Sequence, residues 1–299
     1  MKLKTQLRFK HDTWTAWIFS APALFLLLVF LVVPFVMAIG LSFTDQRLIP
    51  NPRLPTEFIG LRNYQRLLAD TTFWIATRNC FLFVVVVVPV QTALALGMAM
   101  LVNQRIKGTT IFRTIYFSPV VITMVVVSVI WTFLFDSDQG FINRLVSWLS
   151  LGTVGQQDWL NDPSLAFFCI MVVSIWQGVG FQMIIWLAGL QNIPGVLYEA
   201  ADVAGANNWQ KFRYVTWPGL RNTAVFILIL ITIEAFRLFD QINVMTRGGP
   251  LDSTTTVIYQ MYIRGYEKQD IATGSAISVI FFLTVLVITV VQRYITKED

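Results

Sequence analysis

"YEAADVAGANNWQKFRYVTWPGL", Tyr198 to Leu220, is a polar, turn-rich stretch set between two long apolar runs. Ala200, Ala201, Ala204 and Ala206, around Glu199 and Asp202, predict a short helix, because alanine has the highest helix propensity and acids suit a first turn. Pro194 and Gly195 mark its approach. Gly205 then predicts a stop or a sharp bend, where a positive φ carries no Cβ penalty. Asn207 or Asn208 is suited to cap a second short helix, on which Trp209, Phe212 and Val215 recur every three residues. Pro218 is expected to end it. The product is a helix, bend, helix unit with an apolar stripe and two cations, Lys211 and Arg213. Such a unit either lies on a lipid surface as an amphipathic connector or docks into a groove on a partner. The pattern by itself leaves both open.

The flanks decide the class of the chain. Of its 299 residues 56% are hydrophobic and only 13% charged, and the mean hydropathy is +0.64, whereas a soluble domain carries about 25% charged residues. Apolar runs that reach the roughly 20 residues needed to cross a bilayer lie near Trp17–Phe43, Ala76–Val102, Ile111–Phe135, Leu165–Leu190, Thr223–Met245 and Ile271–Gln292. The expectation is an all-α membrane protein with six transmembrane helices. The first run is preceded by Lys2, Lys4, Arg8 and Lys10, yet its 27 residues far exceed a secretory h-region of about 7–15. It is therefore read as a permanent span.

Basic residues set the orientation. The N-terminus, the loop with Arg105, Lys107 and Arg113, and the opening stretch with Lys211, Arg213 and Arg221 fall on one side of a six-span path, and the positive-inside rule makes that side the cytoplasm. The loop from Asp136 to Ser164 carries Asp136, Asp138, Asp158 and Asp162 against Arg144 alone, which suits the outside. Arg47, Arg53, Arg62 and Arg66 in the first loop weaken the bias. This places residues 1–16 as a cytoplasmic N-terminal segment, 17–293 as one six-helix transmembrane domain with the polar loop at 191–220, and 294–299 as a cytoplasmic tail.

The spacing within the polar loop is specific. Glu199, Ala200, Ala201, then Gly205 six residues after the glutamate, Val215 sixteen after and Pro218 nineteen after, resemble the EAA motif of the permease subunits of bacterial ABC importers. Trp217 stands where that pattern usually has leucine, and Ala204 where it often has aspartate. "PALFLLLVFLVVPFVMAIGLSFTD" (Pro22 to Asp45), "FIGLRNYQRLL" (Phe58 to Leu68), "RTIYFSPVV" (Arg113 to Val121) and "AFRLFDQINVMTRGGP" (Ala235 to Pro250) look like the carbohydrate branch, the sugar and glycerol-phosphate type. The resemblance implies a type I importer permease (MetI-like) core in the bacterial inner membrane. It also implies a heterodimer with a second homologous permease, two nucleotide-binding subunits that bind ATP and Mg, and an extracytoplasmic sugar-binding protein. Glu199, Ala200, Ala201, Gly205, Trp209, Phe212 and Pro218 would form the coupling helix region gripped by an ATPase subunit.

Other chemistries lack their parts. No Gly-Lys dipeptide occurs, so a Walker A loop is absent, and His11 is the only histidine, which leaves no Ser/His/Asp triad. Cys80 and Cys169 sit in or beside apolar runs and imply neither a disulfide framework nor a metal site. Gly178–Gly180, "GVG", lies inside a span and fits close helix packing. The fifth span is the informative one. Glu234 lies about ten residues in from Ala224, roughly 15 Å, and an acid facing lipid there would cost roughly 2.5–3.5 kcal/mol. It should face protein or water. Arg237 and Asp240 follow at steps of three, so the three residues form either a salt-bridge ladder between helices or the wall of a translocation path.

In the fourth span "WQGVGFQ" gathers Trp176, Gln177, Phe181 and Gln182. The family's sugar site lies among these two helices, which points to Gln177, Gly178, Phe181, Glu234, Ala235 and Leu238, with Gln182 and Arg237 beside them. The expected function is a permease subunit that moves a sugar or glycoside by alternating access and performs no covalent chemistry itself. The competing expectation is a stand-alone proton-coupled carrier with Glu234 as its proton site. Such carriers often hold internal inverted repeats, and none is visible.

Overall fold

The computed structural model describes residues 2–50, 55–104 and 108–296. Arg53, Arg105 and Lys107, used above to orient the chain, and the last three residues of the 294–299 tail lie outside the described residues. Among those described, every regular element is helical apart from one isolated antiparallel bridge between Thr44 and Phe58. The principal helices are α1 (Trp14–Leu41), α2 (Thr71–Val102), α3 (Thr109–Val121), α4 (Met124–Leu134), α5 (Ala166–Gln191), α6 (Gly195–Val203), α7 (Arg221–Phe236) and α8 (Ile271–Thr296). Helix precedes Trp14 as far back as Lys2. By length and composition α1, α2, α5 and α8 can each cross a membrane, and the total is six if two bent pairs count as one span each.

The bent pairs correct the simple picture of the third and fifth spans. α3 and α4 meet at 97° around Ile122 and Thr123, and the short helix Asn208–Gly219 meets α7 at 65°. α7 ends at Phe236 rather than running on to Met245. Ile122 and Thr123 are extended, a conformation that strips carbonyls of their helical partners. The freed Ile122 carbonyl accepts from Gln177 Nε2 at 3.4 Å, and the Leu238 carbonyl, past the end of α7, accepts from Thr256 Oγ1 at 2.9 Å. Broken backbone inside a membrane persists only where such substitutes exist or where it borders a cavity.

The chain divides into two compact units, Met1–Ala69 with Met261–Ile280, and Asp70–Gln260 with Phe281–Asp299. In the first, the segment after α1 is held by a buried amide. Asn63 is 2% exposed, and its Nδ2 donates to the carbonyls of Ser42 at 2.9 Å and Thr44 at 2.7 Å. Phe43 lies against Phe58 and Tyr64. Backbone bonds from Leu48 N to Gln269 O and from Ala272 N to Gln46 O tie this segment to the start of α8.

In the second unit the side-chain contacts give the register. Phe83 meets Phe167 and Gln91 meets Gly178, so α2 and α5 run parallel. Tyr116 lies at Gly180 while Ile122 bonds Gln177, so α3 is antiparallel to α5. Thr223 lies at Gly189 while Gln241 bonds Ser174, so α7 is antiparallel as well. The end of α2, the start of α3 and the 191–220 connection therefore share one end of this bundle, and the 136–164 and 237–256 connections share the other. At this second end two further buried asparagines organise loops. Asn79 Nδ2 donates to the carbonyls of Asp252, Ser253 and Thr255 at 3.4, 3.0 and 3.0 Å. Asn143 Nδ2 donates to Ser137 O and Gln157 O, both at 2.9 Å, and its Oδ1 accepts from Trp159 Nε1. In the same acidic loop the Ser164 hydroxyl and amide donate to the Asp162 carboxylate and hold it below the usual carboxylate range.

Candidate functional site

The break in the third span, the C-terminal end of α7 and the facing stretches of α2 and α5 line a cavity of about 460 Å³. α2 contributes Phe83, Val87 and Gln91, the break in the third span contributes Val120 and Met124, and α5 contributes Ser174, Gln177, Gly178 and Phe181. α7 and its end contribute Leu230, Ile231, Glu234, Ala235, Arg237, Leu238, Phe239, Asp240 and Gln241. Gln177, Gly178, Phe181, Glu234, Ala235, Arg237 and Leu238, singled out in the sequence, are all on this wall. Gln182 is not. It is fully buried in α5, although it stands one helical turn after Gly178, which lines the cavity. Trp176 is also off the wall, packed edge-on against Trp131 at 5.5 Å.

The helical face expected for Glu234, Arg237 and Asp240 is interrupted. Arg237 caps α7, and Leu238 and Phe239 are not helical. Glu234 and Arg237 keep an i,i+3 ion pair of 3.3 Å, with side chains 61% and 63% exposed. The pair lies along one helix and opens to the cavity, so it does not strap two helices together, and Asp240 lies beyond the break. The residues that pattern reading missed are the opposing amides and hydroxyl. Gln241 Nε2 donates to Ser174 Oγ at 3.1 Å, and Gln91 lies directly over Gly178. A Cβ on Gly178 would sit 2.0 Å from Gln91 Nε2, and one on Gly180 would sit 2.1 Å from the Tyr116 carbonyl. The Gln91 amide can swing aside but the Tyr116 backbone cannot, so Gly180→Val is expected to cost about 1–3 kcal/mol, read as a lowered thermal midpoint in detergent; an unchanged midpoint would refute the close approach.

The polar loop is built as two joined helices. α6 ends in a Schellman arrangement: Gly205, at φ +73°, donates to Asp202 O at 3.0 Å and Ala206 N donates to Ala201 O at 2.9 Å. Asn207 caps the next helix through a reciprocal pair with Gln210, at 2.9 and 2.8 Å. α6 begins at Gly195, so Glu199 and Asp202 stand in its middle and last turn rather than its first. Asp202 thus opposes the helix dipole, and its ion pair with Lys211 supplies the compensating charge. Pro218 does not end the second helix; it sits inside the short helical turn Trp217–Gly219 that leads into α7. Tyr198 OH and Thr216 Oγ1, 2.9 Å apart, cross-link the two limbs.

Glu199, Ala200, Gly205, Trp209 and Pro218 are exposed, while Ala201, Phe212 and Val215 are half-buried. Trp209 is 69% exposed and stacks on Phe212 at 5.7 Å. Gly205→Ala meets no neighbouring atom within 4 Å, so its expected cost is the left-handed backbone alone, about 1–2 kcal/mol. Gly205→Asn should cost less. Limited proteolysis of the loop reads the difference, and equal resistance of both variants to wild type would contradict it.

Residues 91–298 match the family described as binding-protein-dependent transport system inner membrane components. The chain belongs to that family. This permease is 33% identical over 292 residues to a probable starch degradation products transport system permease, AmyD of Thermoanaerobacterium thermosulfurigenes, spanning 97% of this chain and 96% of the relative. It is 34% identical over 290 residues to the trehalose/maltose transport system permease MalF of Thermococcus litoralis, spanning 97% and 95%. Its fold matches a chain of a bacterial alginate ABC transporter crystallised with an alginate-pentasaccharide-bound periplasmic protein, with TM-score 0.84 and 21% identity over 97% of this chain and 96% of the other. The permease is thus a transport component rather than an enzyme, with an importer permease fold.

Proposed function

We propose that this chain is the membrane-spanning permease subunit of an ATP-driven, binding-protein-dependent carbohydrate importer of a bacterial inner membrane. One observation carries the reading. A single chain of this family joins a cavity of amides, carboxylates and aromatic rings, at the break of the third span and the far end of α7, to an exposed aromatic loop at the start of α7. Leu220 and Glu234 are 14 residues apart, roughly 21 Å of helix, so α7 is a rigid rod between the loop and the cavity. Relatives named for starch products and for trehalose/maltose support a carbohydrate as cargo.

In this reading Glu199, Ala200, Ala201, Gly205, Trp209, Phe212 and Pro218 form the surface that an ATP-binding subunit grips. ATP and Mg are held by that partner, and a second permease completes the pathway. ATP binding closes the two nucleotide subunits, the loop moves with them, and α7 transmits the motion to the wall carrying Glu234. The extracytoplasmic binding protein then delivers its sugar, and hydrolysis returns the cavity inward, a population shift set by nucleotide affinity for one state. Arg113, Lys211, Arg213 and Arg221 cluster at the loop end of the bundle, and Asp136, Asp138, Asp158 and Asp162 at the other. That asymmetry supports a cytoplasmic loop and cytoplasmic termini.

The test is uptake of labelled maltose and trehalose into proteoliposomes holding the complete importer. Uptake should need enclosed ATP and ignore a protonophore. Uptake without ATP that a protonophore abolishes would instead establish a proton-coupled carrier.

A further inference from the structure

We infer that the cavity wall of this chain selects neutral saccharides and turns away anionic ones, such as aldonates, uronates and sugar phosphates, and that the Glu234–Arg237 pair is the specificity determinant. The inference rests on the carbohydrate reading above and narrows its substrate class. Among the described residues, three charged side chains line the cavity: Glu234, Arg237 and Asp240. The one guanidinium is already shared, with Arg237 Nη1 3.3 Å from Glu234 Oε1. Asp240, across the helix break, leaves this wall with two carboxylates and one cation.

An anionic sugar entering here meets a net negative wall and a cation that can serve it only by leaving Glu234. A neutral saccharide meets no such conflict. Its hydroxyls can donate to the carboxylates of Glu234 and Asp240 and accept from the amide of Gln177. Arg237 has five N–H donors, so pairing with one carboxylate oxygen leaves others for uncharged hydroxyls. Phe181 supplies an apolar face for the ring's C–H edge, the usual composition of a small-molecule site. Glu234 therefore acts as an internal counter-ion that keeps Arg237 available to hydroxyls and closed to carboxylates.

The test is equilibrium dialysis of the purified complete importer in detergent, without the binding protein, against matched pairs: maltose with maltobionate, and trehalose with trehalose 6-phosphate. For the pair that binds, the neutral member should bind at least about tenfold more tightly, the scale of one unscreened like charge at a partly wet site. Glu234→Gln, which frees Arg237, should narrow or reverse that ratio. Arg237→Gln should widen it and serves as the second variant if the first fails to insert. Equal or tighter binding of the anion by wild type, or a ratio that neither variant moves, overturns this inference while leaving the carbohydrate reading intact. If no member of either pair binds wild type, the carbohydrate reading of the cavity falls, and this inference with it.

Discussion

Asn79→Leu is expected to lower the stability of the inserted permease by about 2–3 kcal/mol, the cost of leaving buried acceptors without a donor. Asn79 is 7% exposed, and its single amide serves three carbonyls of the 252–255 loop. Thr254, Thr255 and Thr256 are fully buried behind it. Thr254 Oγ1 donates to Gly249 O at 2.7 Å, Gln260 donates to Thr255 Oγ1 at 2.9 Å, and Thr256 caps Leu238 O. Loss of the asparagine therefore propagates to the end of α7 and so to the cavity wall. Asn79→Asp makes the expectation sharper. It is nearly isosteric, but a carboxylate offers no proton and would face three carbonyl oxygens, so it should be no better than leucine. The thermal midpoint in detergent reads both; an aspartate variant that matches wild type would contradict the donor role.

The second large effect belongs to the polar loop. Trp209→Glu is expected to leave the chain inserted, with an unchanged thermal midpoint, while ATP-driven uptake falls by more than about tenfold, since buried tryptophan anchors commonly supply 2 kcal/mol or more at an interface. The side chain makes few internal contacts to lose: it is 69% exposed and touches its own loop through Phe212. Stability and coupling should separate cleanly. Retained uptake would remove Trp209 from the gripping surface, and a lowered midpoint would make it a packing residue.

Residue pattern discloses some of this architecture and conceals the rest for physical reasons. Gly205 and Asn207 are legible because a left-handed turn and an N-cap demand particular residue types locally, and both occur where those types stand. The start of α6 is not, since Gly195 is a weak helix former and draws no attention as a first residue; Glu199 and Asp202 consequently read as first-turn acids. Apolar runs report which solvent a segment meets, not its direction: Pro119 in "SPVVITMVV" points to a bend but not to its 97° angle, and the end of α7 at Phe236 leaves no mark in "AFRLFDQ". Polar side chains that repair broken backbone are harder still. Asn79 serves a carbonyl 174 residues away and Gln177 one 55 away, so no local spacing records either. Gln182 illustrates the converse: its chemistry suited a sugar site, yet its side chain is fully buried off the cavity wall.

The most direct measurement is affinity purification of the tagged chain from its native host, wild type beside Gly205→Pro and Glu199→Arg. The account predicts that wild type brings with it an ATP-hydrolysing subunit and a second six-span permease, and that both loop variants stay inserted but lose the ATPase. A wild-type chain that purifies alone and still moves solute without ATP would contradict it.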